Sequence, residues 1–312
     1  MKNILIAILL DLAIGDPYSF PHPVKTMGKI ISMEEKLARK VSNSREGLKF
    51  AGFFITVFNI ILAFILPYLL LKFLKKYNTI YNIVNIYLIY TCIAARSLHK
   101  EAMKVYYALD DGIEKARYQL SFIVGRDTMD LTEKEIIKAD IETVAENTAD
   151  GVIAPLFYIM LLGGPGGLMY KMVNTMDSML GYKNEKYMDL VFFPAKVDDI
   201  YNYIPARLTG IFMCLSSILK YDMINGFKIM FRDRKNHASP NSAYSEAAVA
   251  GLLNIQLGGK SNYFGKVVEK PSIGDNIKPI ERVHIKDTIK IMYRTEILLI
   301  LLYIIIFFVG SR

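Results

Sequence analysis

Phe50–Leu71, FAGFFITVFNIILAFILPYLLL, runs for 22 residues without a charged side chain, with Lys49 and Lys72 at its edges. A helix of that length reaches about 33 Å, enough to cross the hydrocarbon core of a bilayer. Working outward from it, residues 80–95 form a second apolar stretch, interrupted by Asn82 and Asn85. Residues 297–309 form a third, short but intensely apolar. Residues 3–14 resemble a signal peptide, yet Asp11 breaks the apolar run and no small-residue cleavage site follows, so a retained helix is expected. The chain is 53% hydrophobic and still 22% charged, which suits membrane helices joined by substantial polar loops.

Two weaker apolar stretches, 152–170 and 203–219, are expected to be re-entrant or spanning. The first runs into Gly163-Gly164-Pro165-Gly166-Gly167, where a regular helix is expected to stop. The second carries Pro205 and Arg207 near its start. Irregular backbone at membrane depth needs protein or a wet cavity around it. The expected fold is therefore all-α and polytopic, with about four transmembrane helices plus re-entrant or interfacial helices and helical cytoplasmic loops. The whole chain, 1–312, reads as one membrane-embedded catalytic domain.

Charge placement gives the orientation. Lys and Arg number seven in Gly15–Lys49, eight in Arg96–Gly151 and thirteen in Lys220–Arg294, against three in Lys72–Thr79 and four in Lys171–Ile200. The excess of basic residues places the three rich regions in the cytoplasm. If the two weak segments do not fully cross, Lys171–Ile200 joins them, and the polar motifs face one cytoplasmic cavity. Basic loops near anionic lipid account for the net charge of +8, and no nucleic-acid-binding module is present. Cys92 and Cys214 lie in apolar segments, and His22, His99, His237 and His284 have no metal-ligand spacing.

The chemistry concentrates in Ile141–Tyr158, IETVAENTADGVIAPLFY. Glu142, Glu146 and Asp150 stand at i, i+4 and i+8, so a helix puts them on one side, turning about 40° per step. Like charges stacked at a membrane boundary call for a divalent metal, a basic side chain or a polar substrate among them, unless they form a solvated face. Asn147 and an Asp150-Gly151 turn stand beside them. Other polar segments carry Pro21-His22-Pro23, Arg96 with Lys100, Arg126-Asp127 after a Gly, Lys171 with Asn174 and Asp177, and Asp198-Asp199. His237–Gly259 reads as a polar turn at Ser239–Ser242 and an Ala-rich helix from about Glu246, closed by Gly258-Gly259. The run Asp111-Gly112, Ala116-Arg117, Gly125, Asp127, Asp130 echoes the metal-binding signature of CDP-alcohol phosphotransferases. Its spacing is off by a residue in more than one interval, and its segment is too polar for lipid.

Seven segments in order resemble the CobD/CbiB family of adenosylcobinamide-phosphate synthases. They are GDPYSFPHPVKTMG, AARSLHKEA, LSFIVGRDT, IETVAENTADGVIAPLFY, YKMVNTMDSMLGYKNEKY, DDIYNYIPARLTG and HASPNSAYSEAAVAGLLNIQLGG. The chain departs from that family at Ala243-Tyr244-Ser245, where Gly-Trp-Pro is frequent, and at Pro194, where Gly is usual. The resemblance implies an integral membrane ligase of the cell membrane that uses ATP and Mg²⁺. It would join (R)-1-aminopropan-2-ol, or its O-phosphate, to a propionate carboxyl of adenosylcobyric acid. Membrane lipid and other enzymes of the cobalamin pathway are the further partners implied.

That chemistry needs cations on ATP and a base for the amine. Glu142, Glu146, Asp150, Asp177, Asp198 and Asp199 are the metal candidates. Arg96, Arg126, Lys171 and Arg207 are the phosphate candidates, and Asn147, Asn174, Asn241 and Ser242 the further binding candidates. His22 and His237 are the candidate bases, with Asp127 as a third catalytic candidate. A membrane transporter or corrinoid-binding component is the alternative from another class, since transporters also use broken Gly/Pro-rich segments. Against it, the halves of the chain show no self-similarity.

Overall fold

The structure, a computed structural model, describes the chain except residues 18–20, 43, 181–188, 264–265 and 311–312, and describes 260–263 and 266–269 by backbone alone. Parts of two expected motifs, GDPYSFPHP at 18–20 and YKMVNTMDSMLGYKNEKY at 181–188, lie outside the described residues. The chain divides into two compact units, Met1–Ala94 with Ala154–Asn202 and Ala95–Ile153 with Tyr203–Arg312.

The first unit holds α1 (Lys2–Ile14), α2 (Pro23–Val41), α3 (Arg45–Leu74), α4 (Asn78–Tyr90), α8 (Ala154–Leu180) and α9 (Phe192–Tyr201). α8 packs against α2, α3, α4 and α9, and α1 packs on α4. The Pro-His-Pro segment starts α2: Pro23 needs no N–H at the first turn, and His22 Nδ1 accepts from the Val24 amide at 3.2 Å. Ser44 caps α3 by accepting from the Gly47 amide at 3.1 Å. The loop between α1 and α2 is held by Tyr87, whose hydroxyl donates to the Pro21 carbonyl at 2.7 Å, and by Tyr90, which donates to the Gly15 carbonyl.

The second unit holds α5 (Ala95–Asp111), α6 (Ile113–Leu120), α7 (Glu133–Thr148), a π-helical turn (Ala149–Ile153), α10 (Tyr203–Leu215), α11 (Met223–Asp233), α12 (Ser242–Leu253) and α13 (Val283–Gly310). A capping box of Thr132 and Glu135 starts α7. Val105, Ala116, Leu120, Ile136 and Ala139 join α5, α6 and α7 in one apolar cluster. α12 is buried on nearly every face, which its Ala-rich sequence permits. It crosses α11 closely: a Cβ at Gly251 would meet the Asn225 carbonyl at 2.6 Å and the Gly226 Cα at 2.8 Å. An antiparallel hairpin, β1 (Leu257–Tyr263) and β2 (Lys266–Ile273), follows, with a register shift between Gly258 and Gly259.

The fold is that of an all-α membrane protein with this one small hairpin. Among the described residues three helical stretches are long and apolar enough to cross a bilayer: Arg45–Leu74, Glu133–Leu180 and Val283–Gly310. The span expected at 50–71 lies in the first, and that at 297–309 is the outer half of a 28-residue helix. α1 and α4 are 13 residues each, or about 20 Å, shorter than the hydrocarbon core. The second stretch contains 152–170, whereas α10, in 203–219, is a shorter apolar helix.

Local readings also change. The glycine-rich run does not end its helix; it kinks at Gly163, whose φ of 72° and ψ of −165° only glycine adopts readily, and the helix resumes at once. Pro165 tolerates this because it stands in the first turn after the kink. Asp150-Gly151 is not a turn that ends the helix but part of the π-helical turn. α12 begins at Ser242 and closes at Asn254, which adopts the left-handed conformation, while Gly258 and Gly259 belong to the hairpin.

Candidate functional site

In the second unit a polar cavity of about 240 Å³ is lined by residues that include Arg126, Glu142, Glu146, Asn147, His237, Glu246 and Lys270. Its wall is α7, whose i, i+4 spacing presents Glu142 and Glu146 together. Glu142 accepts from Arg126 Nη2 at 2.6 Å and from the Gly258 amide at 2.8 Å. Lys138, one turn earlier, donates to the Gly258 carbonyl at 2.6 Å, so α7 grips the root of the hairpin on both sides of one residue. The hairpin in turn brings Lys270 to the cavity.

Glu146 accepts from the Ser242 hydroxyl at 2.7 Å. One turn into α12 from Ser242 lies Glu246, 4% exposed. One ligand atom each from Glu146, His237 and Glu246 lies within 4.8 Å of the others. Burial, and then the charges of Glu146 and Glu142, hold the Glu246 carboxyl well above the usual carboxylate range. Two carboxylates this close need a proton or a cation between them.

His237 sits 3.9 Å from Glu246 through Nε2, while Nδ1 accepts from the Ser239 amide at 3.0 Å. That backbone bond puts the neutral ring's proton on Nε2, facing Glu246, and burial lowers the imidazole's pKa. A ring so placed turns its Nε2–H toward Glu246 across 3.9 Å, longer than a hydrogen bond; a metal at Nε2 would want the opposite tautomer. The oxygen donors Glu146 and Glu246 do fit Mg²⁺, which is commonly held by one or two carboxylates together with water and phosphate oxygens. Three carboxylates around the cavity face Arg126 and Lys270, so the lining still favours an added positive charge.

Asn241 and Ser242 connect this centre to Arg207: Asn241 Oδ1 accepts from Arg207 Nη1 at 3.3 Å, and the next residue holds Glu146. Asp150, displaced by the π-helical turn, does not line the cavity. The wide turn alters the angular register that put Asp150 in line with Glu142 and Glu146. Arg96 donates to His99 Nδ1 at 3.3 Å, and that nitrogen lies 3.0 Å from the Tyr293 hydroxyl. Asp127, beside Arg126, is exposed.

The first unit holds the remaining candidates. His22 repeats the His237 device: Nδ1 takes a backbone N–H two residues on, and Nε2 lies 3.3 Å from Asp16. Its pKa is lowered by burial, with Asp16 opposing and Lys171 reinforcing. Asp198 accepts from Asn202 at 3.0 Å, and Asn202 accepts from Tyr170 at 2.8 Å. Burial, helped by Asp177 and Asp199 and opposed by Asn202 and Asn174, raises Asp198 to about 7. Sequence reasoning alone misses Glu246 and Lys270 as site residues. A lone acid inside SAYSEAAVAGLL is a signal for the first, since a charge on an otherwise apolar helix needs a partner; Lys270 arrives by strand pairing and leaves no local mark.

The model of the family described as CobD/Cbib protein matches residues 4–292. A "Cobalamin biosynthesis protein CobD" of Clostridium tetani is 55% identical over 303 residues, covering 96% of each chain. A protein of the same name in Clostridium acetobutylicum is 52% identical over 315 residues and covers 100% of both chains. One from Listeria monocytogenes is 47% identical, over 95% of both. No solved structure matches the chain significantly. With the family model covering nearly all of the sequence and such relatives covering it end to end, the chain belongs to the CobD/CbiB family.

Proposed function

We propose that the chain is a cobalamin-biosynthesis ligase of the cell membrane. It uses ATP to join (R)-1-aminopropan-2-ol O-phosphate to a propionate carboxyl of adenosylcobyric acid. The observation that carries this reading is the close pair Glu146 and Glu246 in a cavity that also holds Arg126, Lys270 and His237. About 240 Å³ suits a phosphate chain or a small amine, not a macrocycle.

The reaction needs the carboxylate made into an acyl donor. The terminal phosphoryl of ATP passes to a carboxylate oxygen; the amine then attacks the acyl carbon and phosphate leaves, giving amide, ADP, phosphate and one proton. Phosphoryl transfer of this kind relies on positioning and charge neutralisation. Glu146 and Glu246 would hold Mg²⁺, which neutralises nucleotide phosphate charge when bound. Ser242 orients Glu146 by its 2.7 Å bond, and His237 turns Nε2 toward Glu246 at 3.9 Å. Lys270 supplies positive charge at the cavity wall, while Glu142 keeps Arg126 in place. The basic loops, and the cavity with them, face the cytoplasm, where ATP is available.

The test is purified protein in detergent micelles with adenosylcobyric acid, the amine phosphate, ATP and Mg²⁺. ADP release is expected only with all components present, with the amide seen by mass spectrometry. Glu146→Gln and Glu246→Gln are each expected to lower kcat at least about a hundredfold. No amide from the complete mixture, or wild-type turnover by Glu146→Gln, overturns the proposal.

A further inference from the structure

We infer that Arg207 anchors a phosphate-monoester subsite next to the carboxylate centre, an inference that rests on the ligase reading for its substrates but not for its chemistry. α10 opens at Tyr203, and Arg207 stands one turn later. Its guanidinium carbon lies 3.4 Å from the centre of the Tyr203 ring and 4.5 Å from that of Tyr244. Its Nη1 makes both protein hydrogen bonds, to the Tyr203 carbonyl at 2.6 Å and to Asn241 Oδ1 at 3.3 Å. Among the described residues no carboxylate pairs with it, and the Nε and Nη2 donors have no protein acceptor.

This is unlike Arg126, the arginine that lines the cavity. Arg126 is neutralised by Glu142 at 2.6 Å. It is also unlike an arginine that only reaches toward lipid headgroups, whose head moves freely in water. Arg207 is half-buried, over two aromatic rings, and tied to an Asn that is 5% exposed. Stacking on aromatic rings leaves the in-plane donors available, so two parallel N–H groups remain to grip two oxygens of one phosphate. A planar cation fixed in advance loses little freedom on binding, which is how a site gains affinity for a small dianion. The tie through Asn241 to Ser242, and from Ser242 to Glu146, sets the bound phosphate beside the carboxylate centre.

A phosphate here has two sources, the phosphate ester of the amine or the terminal phosphates of the nucleotide. Steady-state kinetics of wild type, Arg207→Gln and Arg207→Lys separate them. Arg207→Gln is expected to raise KM roughly ten- to a hundredfold for one phosphate-bearing substrate while kcat changes far less. A rise for the amine phosphate, with unphosphorylated 1-aminopropan-2-ol unaffected, assigns the amine; a rise for ATP alone assigns the nucleotide. Arg207→Lys keeps the charge but not the fork, and is expected to fall between. Unchanged KM for both substrates overturns the inference, as does an equal loss with phosphorylated and unphosphorylated amine accompanied by a lower melting temperature.

If the wild-type protein makes no amide, calorimetric titration with inorganic phosphate decides instead. Saturable binding that Arg207→Gln abolishes upholds the subsite while the ligase reading falls. Equal binding by both proteins, or none by either, overturns the subsite itself.

Discussion

Replacing Arg126 by Met tests whether the hairpin and the cavity wall are held by one buried charge pair. Arg126 and Glu142 are 11% and 8% exposed and meet at 2.6 Å. Removing the arginine leaves the Glu142 carboxylate buried, with the Gly258 amide still donating to it at 2.8 Å. A half-broken buried pair costs about 3–5 kcal/mol, because the surviving charge has lost both its water and its partner. At about 2–4 °C per kcal/mol for folding units of this size, the melting temperature falls by about 10 °C. Changing Glu142 to Gln as well removes the stranded charge but keeps an acceptor for the Gly258 amide. The double variant is therefore expected to be more stable than Arg126→Met by about 2 kcal/mol.

The chain has no Trp, so tryptophan fluorescence cannot report unfolding. Both cysteines, Cys92 and Cys214, are free and buried, so a thiol-reactive fluorophore reports their exposure on heating in micelles. A loss under 1 kcal/mol for Arg126→Met, or a double variant whose losses simply add, refutes the reasoning.

Asp198→Asn changes the pH profile of stability. The folded carboxyl is raised from 3.8 to about 7, so the folded protein binds the extra proton and stability falls as pH rises through that window. The Asn variant is expected to lose up to about 4 kcal/mol of that pH dependence between pH 4 and 7, read from melting temperatures across the range. Gly251→Ala forces α11 away from α12 and is expected to cost about 1–3 kcal/mol, measured by the same thiol assay; an unchanged melting point means the crossing yields freely. Glu246→Gln is expected to weaken Mg²⁺ binding in calorimetry at least about tenfold, and retention of wild-type affinity removes Glu246 from the metal set.

The spans were legible where composition alone decides them. Phe50–Leu71 has no charge to place elsewhere, and burial of its backbone in lipid leaves a helix as the available form. α13 was half read, because Lys286, Lys290, Arg294 and Glu296 in its first half mask a helix continuous with the apolar end. In the site, the i, i+4 spacing of Glu142 and Glu146 carried through to one wall. Asp150 did not follow them, since no residue type announces a π-helical turn. Of the two candidate histidines, His237 lines the cavity and His22 lies in the first unit, and the tautomer of each depends on a backbone amide two positions away. Gly258 looked like a helix stop; its contact with Glu142 spans 116 residues, and local pattern holds no trace of a partner so distant.

Both units are assembled from pieces that are separated along the chain. The first is complete only when Asn202 has been synthesised, and the second needs the segment after Tyr203. While residues 95–153 are being translated, α1 to α4 therefore wait without α8, the helix on which α2, α3 and α4 pack. Any nascent chain shorter than Asn202 contains no finished unit, so ribosome stalling or a nonsense mutation in that interval leaves unpaired apolar helices for quality control to clear. Splitting the gene at Ile153 divides both units, so the fragments must find each other again before either can close, whereas a split at Ala94 divides only the first.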